Sequence, residues 1–381
     1  MKVEFYRHQL GKEELNEVAE VLNSLFLTTG PKTQEFERRF ASYLKVNSCL
    51  GVTSWTMGNF ITLKALGIGP GDKVLTTPLT YVATANTILH VGAEPIFADV
   101  DSVTGNLDIE SVKEVLNSNR NIKAMIVVHL YGQMADMRAL SQLAKEYDIY
   151  LIEDCAHCVE GVREGIRPGQ LSDAAVFSFY ATKNITCAEG GAIVTQNETL
   201  IEKIRPLRLH GVDTYAIDQR KDGVYQHWEM TELGYKCNMH DIAAALLLPQ
   251  LVRIEKTRKT REYLCNRYDD LLKGFDAVET IPVIEGSIHS YHLYTIRVHP
   301  EKRDRLLTEL SLKGVGVGVN FRVVHLMKYY VERYGFKPGL FPIAESIGSS
   351  TISLPLYPGL TGEEQEYVVK SLKEVLTYIG S

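Results

Sequence analysis

Short apolar segments alternate with amphipathic helical patterns through the first half of this 381-residue chain. The apolar run Lys73–Thr76 precedes a helical pattern at Val82–His90, and the run at 124–129 precedes another at Met137–Glu146. Strands that alternate with helices in this way build βαβ units, whose parallel strands are covered by helices on both faces. We therefore predict an α/β fold with a mostly parallel central sheet flanked by helices.

The pattern changes beyond a long helical stretch at 239–268. Strand-like segments at 294–298 and 316–320 are then interspersed with helical patterns at 303–313 and 362–379. Since 381 residues exceed the usual size of one domain, we predict two. Residues 1–250 would form a large domain with the central sheet, and residues 251–381 a smaller α+β domain. Residues 210–229 are polar with little periodicity, which is typical of a functional or disordered loop.

Charge and composition exclude several classes of protein. Basic residues number 41 and acidic residues 47, and the net charge of −6 provides no global field for nucleic acid. No apolar run is long enough to cross a membrane, and the N-terminus is polar from the start. Six cysteines are too sparse for a disulfide scaffold. We expect a cytoplasmic protein with reduced thiols, and no nucleic-acid or membrane partner.

Asp154 and Lys183 each follow an apolar strand-like run. Ligands of open α/β sheets bind outside the carboxyl ends of the strands. Lys183 lies among small, aromatic and hydroxyl residues, where partial desolvation lowers the pKa of an amine and makes it a nucleophile. A carboxylate for the pyridinium nitrogen and a lysine for the aldehyde carbon are what pyridoxal 5′-phosphate (PLP) requires of a protein. Taken singly, each residue is better explained as an ordinary strand-end Asp or a solvated surface Lys, so the prediction needs further support.

A phosphate site is predicted where an apolar strand meets a helix at Ser54 and Thr56. Helix N-termini present free N–H groups and the positive end of the helix dipole, so they bind phosphate. Simple N-capping by either hydroxyl is the alternative. Tyr81 precedes another helix and either stacks on a cofactor ring or packs in the core.

Cys155 and Cys158 form a CxxC pattern, which is typical of metal or redox sites. A structural zinc site needs four ligands, and the sequence offers neither a second CxxC nor an HxxxH pattern to complete one. We therefore predict no metal and expect these cysteines to pack near the cofactor.

The chain resembles the DegT/DnrJ/EryC1/StrS aminotransferases, and the resemblance runs from about residue 3 to 378. It is carried in family order by the strings GPKTQEFERRFASYL, GIGPGDKVLTTPLTYVATANTI, GAEPIFADVD, HLYGQMADM, IEDCAH, FSFYATKN, EGGAIVT, GYKCNMHDIAAALLLPQL and LPLYPGLT. It implies a fold type I PLP-dependent transaminase that moves an amino group from L-glutamate to C3 or C4 of a nucleotide-linked keto sugar. Such enzymes make amino sugars for surface polysaccharide or lipid, with pyridoxamine 5′-phosphate formed between the two halves of the reaction.

The resemblance implies catalytic roles for two residues. Lys183 would be the Schiff-base lysine, and Asp154 the partner of the pyridine nitrogen. His157 would lie near the O3′ side of the cofactor, and Tyr81 would stack on its ring.

Residues at the phosphate end also match the family. Ser178, Thr56 and the Met57 amide would hold the phosphate. Lys236 stands where many relatives have an Asn that reaches the phosphate of the other subunit. The resemblance therefore implies a homodimer with shared active sites.

Substrate contacts are implied for the segment that begins at Asn320. Arg322 would bind a carboxylate or phosphate, and His325 and Tyr330 are further candidates. A surface or core position is the alternative for each of these residues.

Two departures from the family pattern concern the substrate: Trp55, and Cys237 with Asn238, which replace the common Tyr-Arg after the GYN position. Trp55 replaces a small Gly, so it either changes the local packing or places an indole beside the substrate. A dehydratase subgroup has His at the lysine position, and Lys183 argues against that chemistry. A PLP-dependent sugar dehydratase and a non-catalytic regulatory relative remain the alternatives.

Overall fold

The computed structural model describes residues 1–213, 225 and 227–380. Most of the polar segment predicted at 210–229 lies outside these described residues, so its predicted loop character is not addressed by the structure.

The larger sheet has seven strands among the described residues. They are β1 (Ser48–Val52), β2 (Lys73–Thr76), β3 (Glu94–Phe97), β4 (Ile122–Val128), β5 (Tyr150–Asp154), β6 (Ala174–Ser178) and β7 (Gly191–Thr195). Their order is β1-β7-β6-β5-β4-β2-β3. Strand β7 runs antiparallel to both of its neighbours, and all other neighbouring pairs are parallel. The predicted mostly parallel central sheet is confirmed.

Helices cover both faces of this sheet. They are α1 (Lys12–Leu22), α2 (Pro31–Leu44), α3 (Trp55–Ala65), α4 (Val82–His90), α5 (Ile109–Ser118), α6 (Met137–Glu146), α7 (Glu198–Leu207) and α8 (Asp241–Val252). Successive side chains of a strand point to opposite faces. Met125 and Val127 of β4 accordingly pack towards α5 and α6, whereas Ala124 and Ile126 share a cluster with residues of α3 and α4.

A second, antiparallel sheet follows, with strands β8 (Glu279–Thr280), β9 (Tyr294–Arg297) and β10 (Thr351–Leu354) in the order β10-β9-β8. Its helices are α9 (Ile254–Leu272), α10 (Pro300–Leu312), α11 (Lys328–Tyr334), α12 (Pro342–Ser350) and α13 (Gly362–Gly380). The second sheet has its own hydrophobic core, which also includes Val3 from the start of the chain. The predicted division of the chain at 250/251 stays a prediction.

Two expected elements differ from the structure. The predicted strand at 316–320 is wrong: Gly318 makes only an isolated bridge to Ser353. The N-terminal segment lies against this stretch, with Val3 pairing with Val315 and the Gly316 amide donating to the carbonyl of Val3. The helical stretch predicted at 239–268 is two helices, which meet at Arg253.

None of the helices within the described part of the chain is long and apolar enough to cross a membrane.

Candidate active site

A cavity of about 430 Å³ lies where β5 and β6 end. Asp154, Ser178 and Lys183 line it from the larger sheet, at the carboxyl ends where such folds bind ligands. His292 and Asn320 reach it from the region of the second sheet. The cavity is therefore built by both parts of the chain, and its lining also includes Phe5 and Tyr6 of the N-terminal segment.

Asp154 is the last residue of β5, and its side chain is only 5% exposed. Its carboxylate accepts hydrogen bonds from the Thr84 hydroxyl at 2.8 Å and the Ala156 amide at 3.1 Å. Burial raises the pKa of Asp154, and these two bonds and the charge of Lys183 oppose that rise. Each carboxylate oxygen keeps a further lone pair, so the group can accept another bond from a molecule in the cavity.

Lys183 follows β6 in a turn closed by a bond from its amide to the Tyr180 carbonyl, 2.9 Å long. Burial lowers the pKa of its amine to about 8, against the opposing charge of Asp154. Roughly a tenth of the amine is then neutral at pH 7, compared with a negligible fraction for an ordinary lysine. The side chain can therefore act as a nucleophile and as a proton carrier.

The N-terminus of α3 lies at the cavity, which Ser54 and Thr56 line. Ser54 caps the helix, since its hydroxyl accepts from the Met57 amide at 3.2 Å. The start of α3 sits directly on β7: a Cβ on Gly191 would lie 2.6 Å from the backbone carbon of Ser54. Only glycine permits this approach, which brings free helix N–H groups and the dipole end to the cavity. These features suit a phosphate.

Three buried polar atoms of cavity-lining residues have no hydrogen-bond partner among the described residues. They are Nδ1 of His157, Oδ1 of Asn320 and Nε1 of Trp55. Buried polar groups are almost always paired, so their partners are expected on a bound molecule. Burial also lowers the pKa of His157 well below its ordinary value, so this imidazole is neutral. Trp55 is buried in the core and also lines the cavity, which fits both alternatives that the sequence left open.

The residues present fit PLP. Asp154 would face the ring nitrogen, Lys183 the aldehyde carbon, and the unpartnered nitrogen of His157 the phenolic oxygen. The N-terminus of α3 and the hydroxyls of Thr56 and Ser178 would hold the phosphate, and all of these residues line the cavity.

Of the other predicted cofactor residues, Tyr81 lines the cavity, whereas Met57 and Lys236 do not. Tyr81 lines the cavity, is 61% exposed, and has its ring 5.9 Å from that of Phe321. Met57 is not among the lining residues, and its amide is engaged by Ser54. Lys236 is exposed, donates to Oδ1 of Asn238 at 2.8 Å, and is not among the residues that line the cavity of its own chain.

Of the four predicted substrate contacts, the structure brings only Asn320 to the cavity. Arg322 is exposed outside it. The following segment turns inward, and His325 is fully buried with its Nε2 bonded to Glu345 at 3.1 Å. Tyr330 is buried and donates to Oδ1 of Asn86 at 2.7 Å. The structure thus places His325 and Tyr330 in the packing of α11 and α12 rather than at the cavity.

Sequence reasoning missed His292, Phe5 and Tyr6 as lining residues. His292 lies two residues before β9, a strand that the sequence predicted, but nothing in the local sequence indicates which way its ring points. Phe5 and Tyr6 reach the cavity only because the N-terminal segment pairs with residues more than 300 positions away.

A buried cluster near the cavity, His129, Glu153 and Cys155, has its potential ligand atoms within 4.8 Å of one another. Two of its potential ligand residues already make hydrogen bonds within the protein. Nε2 of His129 is bonded to Oε2 of Glu153 at 2.7 Å, and Oε1 of Glu153 accepts from the Gly169 amide at 2.8 Å. Burial raises the pKa of the Cys155 thiol well above its ordinary value, so the thiol stays protonated. These contacts indicate a structural hydrogen-bond cluster.

This fold and site define a fold type I, PLP-dependent aminotransferase. Residues 8–373 match the model of the DegT/DnrJ/EryC1/StrS aminotransferase family, and the chain belongs to that family. It is 39% identical over 372 residues to the spore coat polysaccharide biosynthesis protein SpsC of Bacillus subtilis, covering 96% of this chain and 95% of SpsC.

Solved structures give the same result. The sugar aminotransferase Spr1654 of Streptococcus pneumoniae in its PMP form is 30% identical, with a TM-score of 0.92 over 99% of this chain and 100% of that one. Spr1654 is also known in a PLP form. PseC of Helicobacter pylori, an aminotransferase of pseudoaminic acid biosynthesis, is 27% identical, with a TM-score of 0.92 and the same coverage. The cofactor of this family is PLP, and the chain is a transaminase.

Proposed function

We propose that the protein transfers an amino group from L-glutamate to the keto group of a nucleotide-linked sugar, at C3 or C4, for the biosynthesis of a surface polysaccharide or lipid. The observation that carries the proposal is one cavity that combines a lysine of lowered pKa with a buried strand-end carboxylate. The names of SpsC and PseC, which refer to polysaccharide and pseudoaminic acid biosynthesis, support a sugar acceptor.

Lys183 and Asp154 have separate roles in the proposed reaction. When bound, PLP supplies an electron sink that stabilises negative charge on the substrate carbon. Lys183, neutral in part at pH 7, removes the proton from the amino-bearing carbon of the donor and returns a proton in the second half of the reaction. Asp154 keeps the proton on the ring nitrogen, and its bonds to Thr84 and Ala156 fix the position of the carboxylate. Glutamate leaves as 2-oxoglutarate.

The experiment that tests this function separates the two halves of the reaction. L-Glutamate added to the PLP-loaded protein is expected to shift the cofactor's absorbance. UDP- and dTDP-linked 3-keto and 4-keto hexoses are then expected to restore the original band and yield an amino sugar, detected by mass spectrometry. A product that has lost water without gaining nitrogen would establish a dehydratase. A spectral shift with no sugar product would leave a regulatory or other role and overturn the proposal.

We also propose that the working unit is a homodimer with composite active sites. Lys236 is exposed and is not among the residues that line the cavity of its own chain, which favours a phosphate contact made to a second copy. Large apolar side chains nearby in sequence or at the cavity are exposed in the single chain, among them Leu233 (77%) and Tyr180 (47%). Exposed apolar surface of this kind is typical of an interface.

Mixing two inactive variants tests the composite site. Lys183→Ala and Lys236→Ala are each expected to lose most activity as homodimers. If subunits exchange at random, half of the dimers are mixed, and each mixed dimer contains one site with both lysines. The mixture is therefore expected to recover about a quarter of the wild-type rate. Failure to recover activity, in a sample shown by mass spectrometry to contain mixed dimers, would place Lys236 in the same site as the Lys183 of its own chain. A Lys236→Ala homodimer that keeps most of its activity would place Lys236 outside both sites.

A further inference from the structure

His292 lines the cavity from the side of the second sheet, two residues before β9, and is 6% exposed. Its backbone amide donates to the carbonyl of Tyr131, in the turn after β4, at 3.2 Å. Its ring lies 4.4 Å from the ring of His157, centroid to centroid. The ring is thus held beside the proposed cofactor site by a part of the chain that supplies no proposed cofactor contact.

Nδ1 of His292 is hydrogen-bonded to Asn184, which is in turn bonded to Glu160; these three residues form a buried relay. The Asn184 amide nitrogen donates to Oε1 and Oε2 of Glu160, at 3.1 and 3.0 Å, and to the Ser290 carbonyl at 2.8 Å. Because these acceptors fix the amide nitrogen on their side, the amide oxygen of Asn184 faces Nδ1 of His292, 3.2 Å away. An amide oxygen only accepts hydrogen bonds, so Nδ1 carries the ring proton.

The second nitrogen of His292 is then an acceptor. Burial, aided by the positive charges of Lys183 and Arg261, lowers the pKa of His292 well below its ordinary value, so the ring is neutral and has one proton. With that proton on Nδ1, Nε2 has a free lone pair. No hydrogen bond to Nε2 is formed by any residue in the described part of the chain. Since the side chain lines the cavity, this lone pair is available to a molecule bound there.

We propose that His292 is a substrate-recognition residue whose Nε2 accepts a hydrogen bond from a ring hydroxyl of the keto sugar, with Asn184 and Glu160 fixing its tautomer. The inference rests on the proposed function and adds a specific contact to it. An unprotonated nitrogen repels carboxylate and phosphate oxygens and requires a donor. A keto sugar carries several ring hydroxyls, each of which can donate to such a nitrogen.

Two amide substitutions separate the two ring nitrogens. In His292→Asn the amide can occupy the place of Nδ1, keeping the bond to Asn184 while losing the acceptor at Nε2. In His292→Gln the longer amide can place its oxygen near the Nε2 position. Single-turnover measurements follow the glutamate half and the keto-sugar half separately, with UDP- and dTDP-linked 3-keto and 4-keto hexoses as the probes.

The substitutions of His292 are expected to slow the keto-sugar half of the reaction and to leave the glutamate half unchanged. For His292→Asn we expect kcat/KM for the keto sugar to fall about 10- to 100-fold, with the glutamate half unchanged within about threefold. His292→Gln is expected to recover part of the loss. A deoxy analogue that lacks the contacted hydroxyl should slow the wild type by a similar factor and His292→Asn hardly at all.

Other outcomes contradict the inference. Equal slowing of both halves would make His292 a support for His157 and Lys183, and unchanged keto-sugar kinetics in His292→Asn would leave it no role in recognition. An intact glutamate half also shows that a variant is folded. If the wild type aminates none of the keto sugars, the proposed function fails together with this inference. If the wild type aminates one and the variants behave like it, this inference alone fails.

Discussion

Replacing Lys183 with alanine is expected to reduce the rates of both halves of the reaction by about 10⁴-fold, the upper end of the range for loss of a positioned acid–base group. The physical reason is that no other lysine lines the cavity among the described residues, so no second amine can carry the proton. The measurement is single-turnover absorbance with glutamate and then with the keto sugar.

Two further lysine variants serve as controls. Lys183→Arg keeps the positive charge but cannot lose its proton at accessible pH, so it is expected to be as inactive as the alanine variant. Lys64→Ala removes an exposed lysine from the last turn of α3 and is expected to match the wild type. A Lys183→Ala protein that completes both halves at more than a few per cent of the wild-type rate would contradict the proposed role.

Asp154→Asn is expected to lower both half-reaction rates by about 10²–10⁴-fold, because a neutral amide cannot hold a proton on the ring nitrogen. The free energy of unfolding, unlike the rates, is not expected to fall in Asp154→Asn. Burial raises the folded-state pKa of Asp154, so its carboxyl group favours folding at low pH, and this contribution is lost as pH rises through that pKa. The ionised carboxylate is therefore unfavourable at neutral pH. Without cofactor, the free energy of unfolding of Asp154→Asn in urea is expected to be no lower than that of the wild type.

The hydroxyl of Thr84 offers a matched comparison. Thr84→Val removes the 2.8 Å bond to Asp154 but leaves the carboxylate in place, so it is expected to reduce activity much less than Asp154→Asn. Equal losses in both variants would show that the position of the carboxylate, rather than its charge, determines the rate.

The central sheet and the cofactor pair were accessible from sequence because local patterns determine them. An apolar run must be buried as a strand, and the residue at its carboxyl end then lies at the ligand edge, as Asp154 does at the end of β5. Lys183 follows from the same reasoning, since the turn after β6 returns directly to β7.

The cavity wall built by the N-terminal segment and by the region of the second sheet depends on contacts between residues far apart in the sequence. Local sequence patterns do not encode such contacts. The stretch at 316–320 reads as a strand, yet the N-terminal segment lies against it. His325 follows a family motif but is buried against Glu345 of α12, a helix that begins at Pro342. The relay from Glu160 to His292 joins three separate segments of the chain, so its members looked unrelated in the sequence.

The pairing of Val3 with Val315 has a consequence for synthesis on the ribosome. Residues 3–6 are made before the larger sheet, but Val315, with which Val3 pairs, is made only after the whole of that sheet. Until then Phe5 and Tyr6, which later wall the cavity, have no place to dock. Asp154 and Lys183 therefore line an incomplete pocket until residue 315 has been made, and we expect stable cofactor binding only after that point.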